Sequence, residues 1–357
     1  MPPVDPSLPN PPDPHDNQSG KRPDPLAEST PEPAASDLAA QLAALTQQGD
    51  DAYAAGDYAQ AIPPYRKAVV LADKQTDWYA WTFQAWKLSN ALSRADQNVE
   101  AEALTRQLLD AHSAPKWVNS EDVLRLTENL AILRFKQGGL IEAEPLFRTV
   151  LEARERTNGP DHPETWLVMS HLDRVLNKRE DWAGSEVLCR RMLEGKTRVM
   201  GPDHPDTLLE MASLAFVLSK RGNCEEAEML CRRRLDTWTR LRGPEDLETL
   251  QAIRNLAHVL FKRGDWDGSE VPYREALLRM SGVPGPEHPE VHKFRFSLGL
   301  LLAYKREWPE ALELVGQSLA ARLAELGAQH RLTLKASRLF EKIKRKFGTS
   351  DEGEAKN

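Results

Sequence analysis

The sequence predicts an all-α solenoid, built by stacking helix–turn–helix units rather than by closing one core. Three observations carry this. A loop motif, Gly159-Pro-Asp-His-Pro-Glu-Thr165, returns 42 residues later as Gly201-Pro-Asp-His-Pro-Asp-Thr207. It returns again as Gly243-Pro-Glu-Asp-Leu-Glu-Thr249 and Gly285-Pro-Glu-His-Pro-Glu-Val291, and faintly at Gly327-Ala-Gln-His330. An apolar register keeps the same step behind the loop, and counting back reaches Trp117 and Gln75, where the motif itself is gone. Glycines and cap residues punctuate every copy at matching places. A fixed period of this length belongs to stacked arrays, whose long surfaces usually bind other chains.

The first helix of each unit opens at Asp161-His-Pro-Glu164, Asp203-His-Pro-Asp206 or Glu287-His-Pro-Glu290. Here an acidic residue is expected to cap, give or take one or two positions. Proline fits the first turn, and the later carboxylate favours the positive end of the helix dipole. Leu88, Leu130, Leu172, Leu214, Leu256, Leu298 and Phe340 share one register position. One turn later come Leu92, Arg134, Leu176, Leu218, Leu260 and Leu302, with Arg134 the one break. Gly138, Gly222 and Gly264 are expected to end this helix in the left-handed region.

Asp181, Asn223 and Asp265 then stand as expected N-caps of the second helix. Its small residues Ala101, Ala143, Ser185, Ala227, Ser269 and Ala311 suit close helix approach. Glu102–Arg106, Glu144–Arg148, Glu186–Arg190, Glu228–Arg232 and Glu270–Arg274 are spaced to pair along its solvated face. Cys189 and Cys231 share a packing position, and Trp182, Trp266, Trp308 and Cys224 share another, so all of these are expected in the core.

Residues 1–34 hold 11 of the 25 prolines and almost no large apolar side chain. The expected organisation is a disordered Pro-rich tail over 1–36 and an array over 37–347. That array has about seven helix pairs plus a C-terminal cap helix, followed by a second disordered tail over 348–357. Pro9-Asn-Pro-Pro12 has the composition of an SH3 or WW ligand but reads first as part of a passive tail.

Gly222-Asn-Cys-Glu-Glu-Ala-Glu228, Gly264-Asp-Trp-Asp-Gly-Ser-Glu270 and Asn255-Leu-Ala257 resemble tetratricopeptide repeats. The 42-residue period and the Gly-Pro-Asp-His-Pro-Asp-Thr loop resemble the kinesin-light-chain-like subtype. Gly56-Asp-Tyr-Ala-Gln-Ala-Ile62, with Tyr65 and Ala68, resembles an ordinary first repeat. The resemblance covers about residues 37–347; Asp173, Glu341 and Gly316 depart from it. It implies a right-handed superhelix whose first helices line a concave groove, and a protein or peptide ligand held there.

Composition excludes several alternatives. The chain has 357 residues, net charge −7 and 40% hydrophobic residues. No apolar run approaches the roughly 18 residues of a membrane span, and no signal peptide is recognisable. Three cysteines in this length make no disulfide framework, so a reducing, cytoplasmic setting is expected. No phosphate loop, nucleophile elbow, dinucleotide fingerprint or zinc-protease motif is present. His162, His204 and His288 recur one per repeat, too far apart for ligands that must lie within about 2.1 Å of one zinc. They read as a folding signal, and no metal, cofactor or catalytic residue is expected. The negative net charge argues against nucleic acid.

The candidate site comes from the resemblance. Carried onto this sequence, the groove position is held by Lys87, Asn129, His171, Ser213, Asn255 and Ser297. One turn on lie Asn90, Arg174 and His258, and Arg254 precedes Asn255. The peptide-binding set is therefore Asn129, His171, Arg174, Lys178, Arg254, Asn255, His258 and Lys262, with Trp86 as a further groove contact. Lys136, Lys178, Lys220 and Lys262, followed by Arg179, Arg221 and Arg263, form a recurring basic series. Two accounts of it stand: dipole complementation at helix ends, and a ladder that attracts an acidic peptide. Two functions follow: a non-catalytic adaptor gripping an extended or short helical segment, or a sensing module that changes superhelical shape on binding. Oligomeric state is left open.

Overall fold

The computed structural model describes residues 33–72, 78–112, 120–280 and 288–354. Most of the Pro-rich tail and the loops that include Trp117 and Gly285 lie outside these residues. The described residues form fifteen helices and no strand. They divide into two compact units at Asp181.

Unit 1 contains α1 (Pro33–Ala54), α2 (Tyr58–Leu71), α3 (Trp78–Arg94), α4 (Asn98–Ala111), α5 (Glu121–Lys136), α6 (Leu140–Thr157) and α7 (Pro163–Lys178). Unit 2 contains α8 (Trp182–Met200), α9 (Pro205–Lys220), α10 (Cys224–Arg242), α11 (Leu247–Arg263), α12 (Trp266–Met280), α13 (Pro289–Lys305), α14 (Trp308–Leu326) and α15 (Arg331–Glu354). Fifteen helices amount to seven pairs and a terminal helix. The first helix starts a turn before residue 37, and α15 runs on past 348, into the span expected to be a tail.

The loop motif folds each unit in three ways. Gly159, Gly201 and Gly243 adopt φ of 90°, 95° and 88°, where a side chain is strained. Thr165, Thr207 and Thr249 each donate a hydroxyl hydrogen bond back to that glycine's carbonyl, at 2.8, 2.8 and 2.7 Å. The histidine, rather than the acidic residue before it, is the N-cap. Nδ1 of His162, His204 and His288 accepts from the backbone N–H of Glu164, Asp206 and Glu290 at 3.3, 3.2 and 3.2 Å. In α11 Asp246 takes the same place, accepting from Glu248 N–H at 2.9 Å. The repeated histidines are thus accounted for by capping.

The register then builds the core. Leu88, Leu130, Leu172, Leu214, Leu256 and Leu298 are all buried, as are Leu92, Leu176, Leu218, Leu260 and Leu302. The six small residues of the second helices have no exposed surface. The break at Arg134 has a reason: its guanidinium pairs with Glu102 at 3.0 Å, which also holds Arg106 at 2.9 Å. All five expected Glu–Arg pairs form, at 2.7–2.9 Å. Asn223 and Asp265 cap α10 and α12 through Glu226 N–H and Gly268 N–H.

Two core expectations need correcting. Trp266 is 42% exposed, and Trp182, Trp308 and Cys224 are only half-buried. These residues stand at the first turn of a second helix, where neighbouring helices cover them only in part. Cys189 and Cys231 are buried as expected.

Within each unit consecutive helices pack against one another, and the odd-numbered helices also touch directly: α5 with α7, α9 with α11, α11 with α13, and α13 with α15. The odd helices therefore share a layer in each unit, and residues on their open stripes stand side by side.

Candidate functional site

The open stripe of α11 is short. Ala252, Ile253, Leu256, Ala257, Val259 and Leu260 are buried, which leaves Gln251, Arg254, Asn255, His258 and Lys262 toward solvent. Arg254, His258 and Lys262 follow one another four residues apart on successive turns of one face, with Asn255 beside Arg254 and three residues before His258. None of these four makes a side-chain hydrogen bond or ion pair among the described residues. The Nε of Arg254 is enclosed and has no acceptor.

The electrostatics of this face are one-sided. Burial, then the charges of Lys262, Lys220, Arg254 and Lys335, push the His258 imidazole down to about 4. These cations come from α9, α11 and α15, and none pairs with a carboxylate among the described residues. Lys220 Nζ instead lies 5.4 Å from the ring centre of Phe216 and 5.6 Å from that of Trp182. Lys335 Nζ lies 5.5 Å from the Phe296 ring. Cations over aromatic faces keep their charge available to an incoming anion. Phe216 is 42% exposed beside them.

Unit 1 treats the same register differently. Asn129 has no exposed surface, and its amide donates to Ser89 Oγ at 3.3 Å. His171 is buried, with Nδ1 3.3 Å from Glu128 Oε1 and its ring tilted on Phe147 at 5.5 Å. Lys87 is engaged by Asp50 at 2.5 Å. Asn90 and Trp86 are buried too. Asn129, His171 and Trp86 are therefore corrected: they serve internal packing, and a peptide has no surface of Asn129 to touch. Arg174 and Lys178 remain exposed, stacked together over the half-buried Phe135 at 5.2 and 4.2 Å.

The basic series divides by residue type. Arg179, Arg221 and Arg263 are neutralised by Glu144, Glu186 and Glu228 of the preceding second helices. Lys136 donates to the Ser93 carbonyl at 2.6 Å, while Lys178 and Lys220 lie over rings. Lys136 also pairs with Asp96 at 3.9 Å, whereas Lys178, Lys220 and Lys262 have no carboxylate partner among the described residues. Phe216 and Lys335 extend the candidate site beyond the residues singled out from sequence. Phe216 had a signal, since it stands at the register position of Arg174 and His258; Lys335 had none.

Models of the tetratricopeptide repeat match residues 123–164, 168–206, 208–277 and 248–324, together more than half of the chain. The chain belongs to the tetratricopeptide repeat family. No curated protein matches this tetratricopeptide repeat chain. Among solved structures it is similar to nearly identical TPR-like repeats of kinesin light chain type from Podosopora anserina. That match has 17% identity and TM-score 0.52, over 56% of this chain and 95% of that one. It is also similar to a tetratricopeptide repeat protein from Parabacteroides merdae (14% identity, TM-score 0.58, over 85% and 99%). A third is a Pyrococcus horikoshii signal transduction ATPase with a tetratricopeptide repeat sensor (12% identity, TM-score 0.61, over 85% of this chain and 44% of that one). At these identities the likeness is one of fold.

Among the described residues no three His, Cys, Asp or Glu side chains converge on a metal site, and no helix is long and apolar enough to cross a membrane. The Cys231 thiol is pushed up to about 12 by burial, which removes it as a nucleophile at neutral pH.

Proposed function

We propose that this protein is a non-catalytic scaffold or adaptor. It holds an extended or short helical acidic segment of another protein in a groove on the odd-helix face of unit 2. The observation that carries this reading is the α11 strip. Arg254, Asn255, His258 and Lys262 present donors with no partner among the described residues, and Lys220 and Lys335 add uncompensated charge beside them. Asn255 can grip a peptide's backbone amides, Arg254 and Lys262 its carboxylates, and the exposed Phe216 ring an apolar neighbour. An acceptor brought to Arg254 Nε would also relieve an enclosed, unsatisfied donor. Arg174 and Lys178 are the corresponding contacts in unit 1. Cys189, Cys224 and Cys231 form no disulfide among the described residues, which supports a reducing, cytoplasmic setting.

Peptide-display selection on the wild type and on the Arg254→Ala/Asn255→Ala/His258→Ala variant tests this. Acidic sequences enriched on the wild type and lost on the variant are the expected result. Equal enrichment on both would move the binding site elsewhere.

A further inference from the structure

Two second helices carry near their ends a cation that carboxylates neutralise, and a third carries one that none does. Arg154 of α6, Lys196 of α8 and Arg322 of α14 share one position of the 42-residue register. Arg154 is held by Glu121 at 2.6 Å and Glu164 at 2.8 Å, and Lys196 by Glu210 at 2.8 Å. In the last copy those three carboxylate positions carry Pro289, Leu332 and Ala336. The first turns of α5, α7, α9, α11 and α13 each contain an acidic residue, and that of α15 contains none. Arg322 is nevertheless only 7% exposed. Its Nη1 donates to the Leu332 carbonyl at 3.1 Å, its Cζ lies over Phe296 at 4.5 Å from the ring centre, and no carboxylate pairs with it among the described residues. Burial pushes the guanidinium below its usual range with nothing opposing it. Lys335 brings a second cation without a carboxylate to the same ring, at 5.5 Å.

Packing does not ask for this charge. α10 and α12 fill the same register position with Trp238 and Met280, both buried. A buried cation without a counter-charge costs stability, and a carbonyl and a ring face offset only part of that cost. We propose that a carboxylate from outside the fold completes this site, in the role that Glu164 and Glu210 play in the other copies. It pairs with Arg322 against the first turn of α15 and is held a second time by the exposed Lys335. The positive end of the α15 dipole favours the same charge. Two sources carry this chemistry: a Glu or Asp side chain of the acidic segment proposed above, or a free small dicarboxylate. The first rests on the reading of the α11 strip; the second does not.

Arginine side-chain NMR on the full chain tests this, with the Nε–H signal of Arg322 identified by its loss in Arg322→Met. Sodium succinate and a hexaglutamate peptide serve as probes, at an ionic strength held constant with sodium chloride. The expected result is a saturable shift of the Arg322 signal, with the Arg154 signal unmoved. Lys335→Met, at an exposed site, should weaken the effective probe about threefold. A shift with succinate alone names a small carboxylate as the ligand, and a stronger response to hexaglutamate names a partner segment. A failure of the α11 strip shows separately, as hexaglutamate that does not bind while succinate still moves Arg322. The melting temperature separates a ligand site from a structural prop. Arg322→Met should leave it unchanged or raised, as Met280 fits the same position, whereas Arg154→Met should lower it by stranding Glu121 and Glu164. An Arg322 signal that neither probe moves would overturn the proposal, as would a loss of stability in Arg322→Met equal to that in Arg154→Met.

Discussion

Asn129 in unit 1 and Asn255 in unit 2 occupy the same register position, yet one is sealed and the other is open. Asn129 donates to Ser89 and has no exposed surface, whereas Asn255 is half-buried with no side-chain hydrogen bond. The pattern extends to their neighbours. Unit 1 supplies Asp50 to Lys87 and Glu128 to His171; unit 2 supplies no carboxylate to Arg254, His258 or Lys262. The difference teaches that register assigns a residue to a face, while its neighbours decide whether that face is free to bind.

The sharpest way to break this comparison is to place one charge at both positions. Asn129→Lys buries an uncompensated ammonium, and urea unfolding should record a loss of more than about 3 kcal/mol. Asn255→Lys should cost under about 0.5 kcal/mol and tighten binding of an acidic peptide. Equal destabilisation by both would erase the distinction between the units.

Removing charge comes next. Arg254→Ala with Lys262→Ala should weaken acidic-peptide binding by roughly 1–3 kcal/mol, measured by calorimetry at low salt, with the melting temperature unchanged. Arg174→Ala with Lys178→Ala should cost less, because Asn129 and His171 beside them are buried and offer a peptide no further contact.

A proton can report on the same face. His258 is neutral near pH 7, because burial and then its cationic neighbours push the imidazole down to about 4. A bound carboxylate offsets those neighbours and raises the imidazole back toward its ordinary value, so the complex takes up a proton. Binding should therefore tighten as pH falls from 8 to 5.5, by less than about tenfold, since burial keeps its share of the shift. His258→Ala should flatten that dependence. Affinity that falls over this window in the wild type would contradict the assigned charge environment.

The smallest expected effect tests the scaffold that both units share. His204→Ala removes an N-cap and should cost about 1 kcal/mol in thermal unfolding without altering peptide affinity.

The fold was legible because the repeat is a local signal printed several times. Its glycines, threonines and leucines sit at fixed offsets, and each copy makes the same contacts. What the register misses depends on neighbours that do not repeat. The capping role of His162 passes to Asp246 by substitution, which only the loop geometry reveals. Asn129 and His171 match the groove position but meet Ser89 and Glu128, partners from the adjoining pair that vary between copies. Phe216 shares the position of His258 and went unnoticed because it is apolar. Lys335 reaches the site from the terminal helix, where the period has faded.

The central claim is that the odd-helix face of unit 2 binds an acidic segment, and hydrogen exchange of the intact chain with and without a saturating acidic peptide tests it most directly. Protection confined to α9, α11 and the start of α15, abolished by the Arg254→Ala/Asn255→Ala/His258→Ala substitutions, is the predicted result. Protection on the even-numbered helices, or the same protection in the substituted protein, would contradict it.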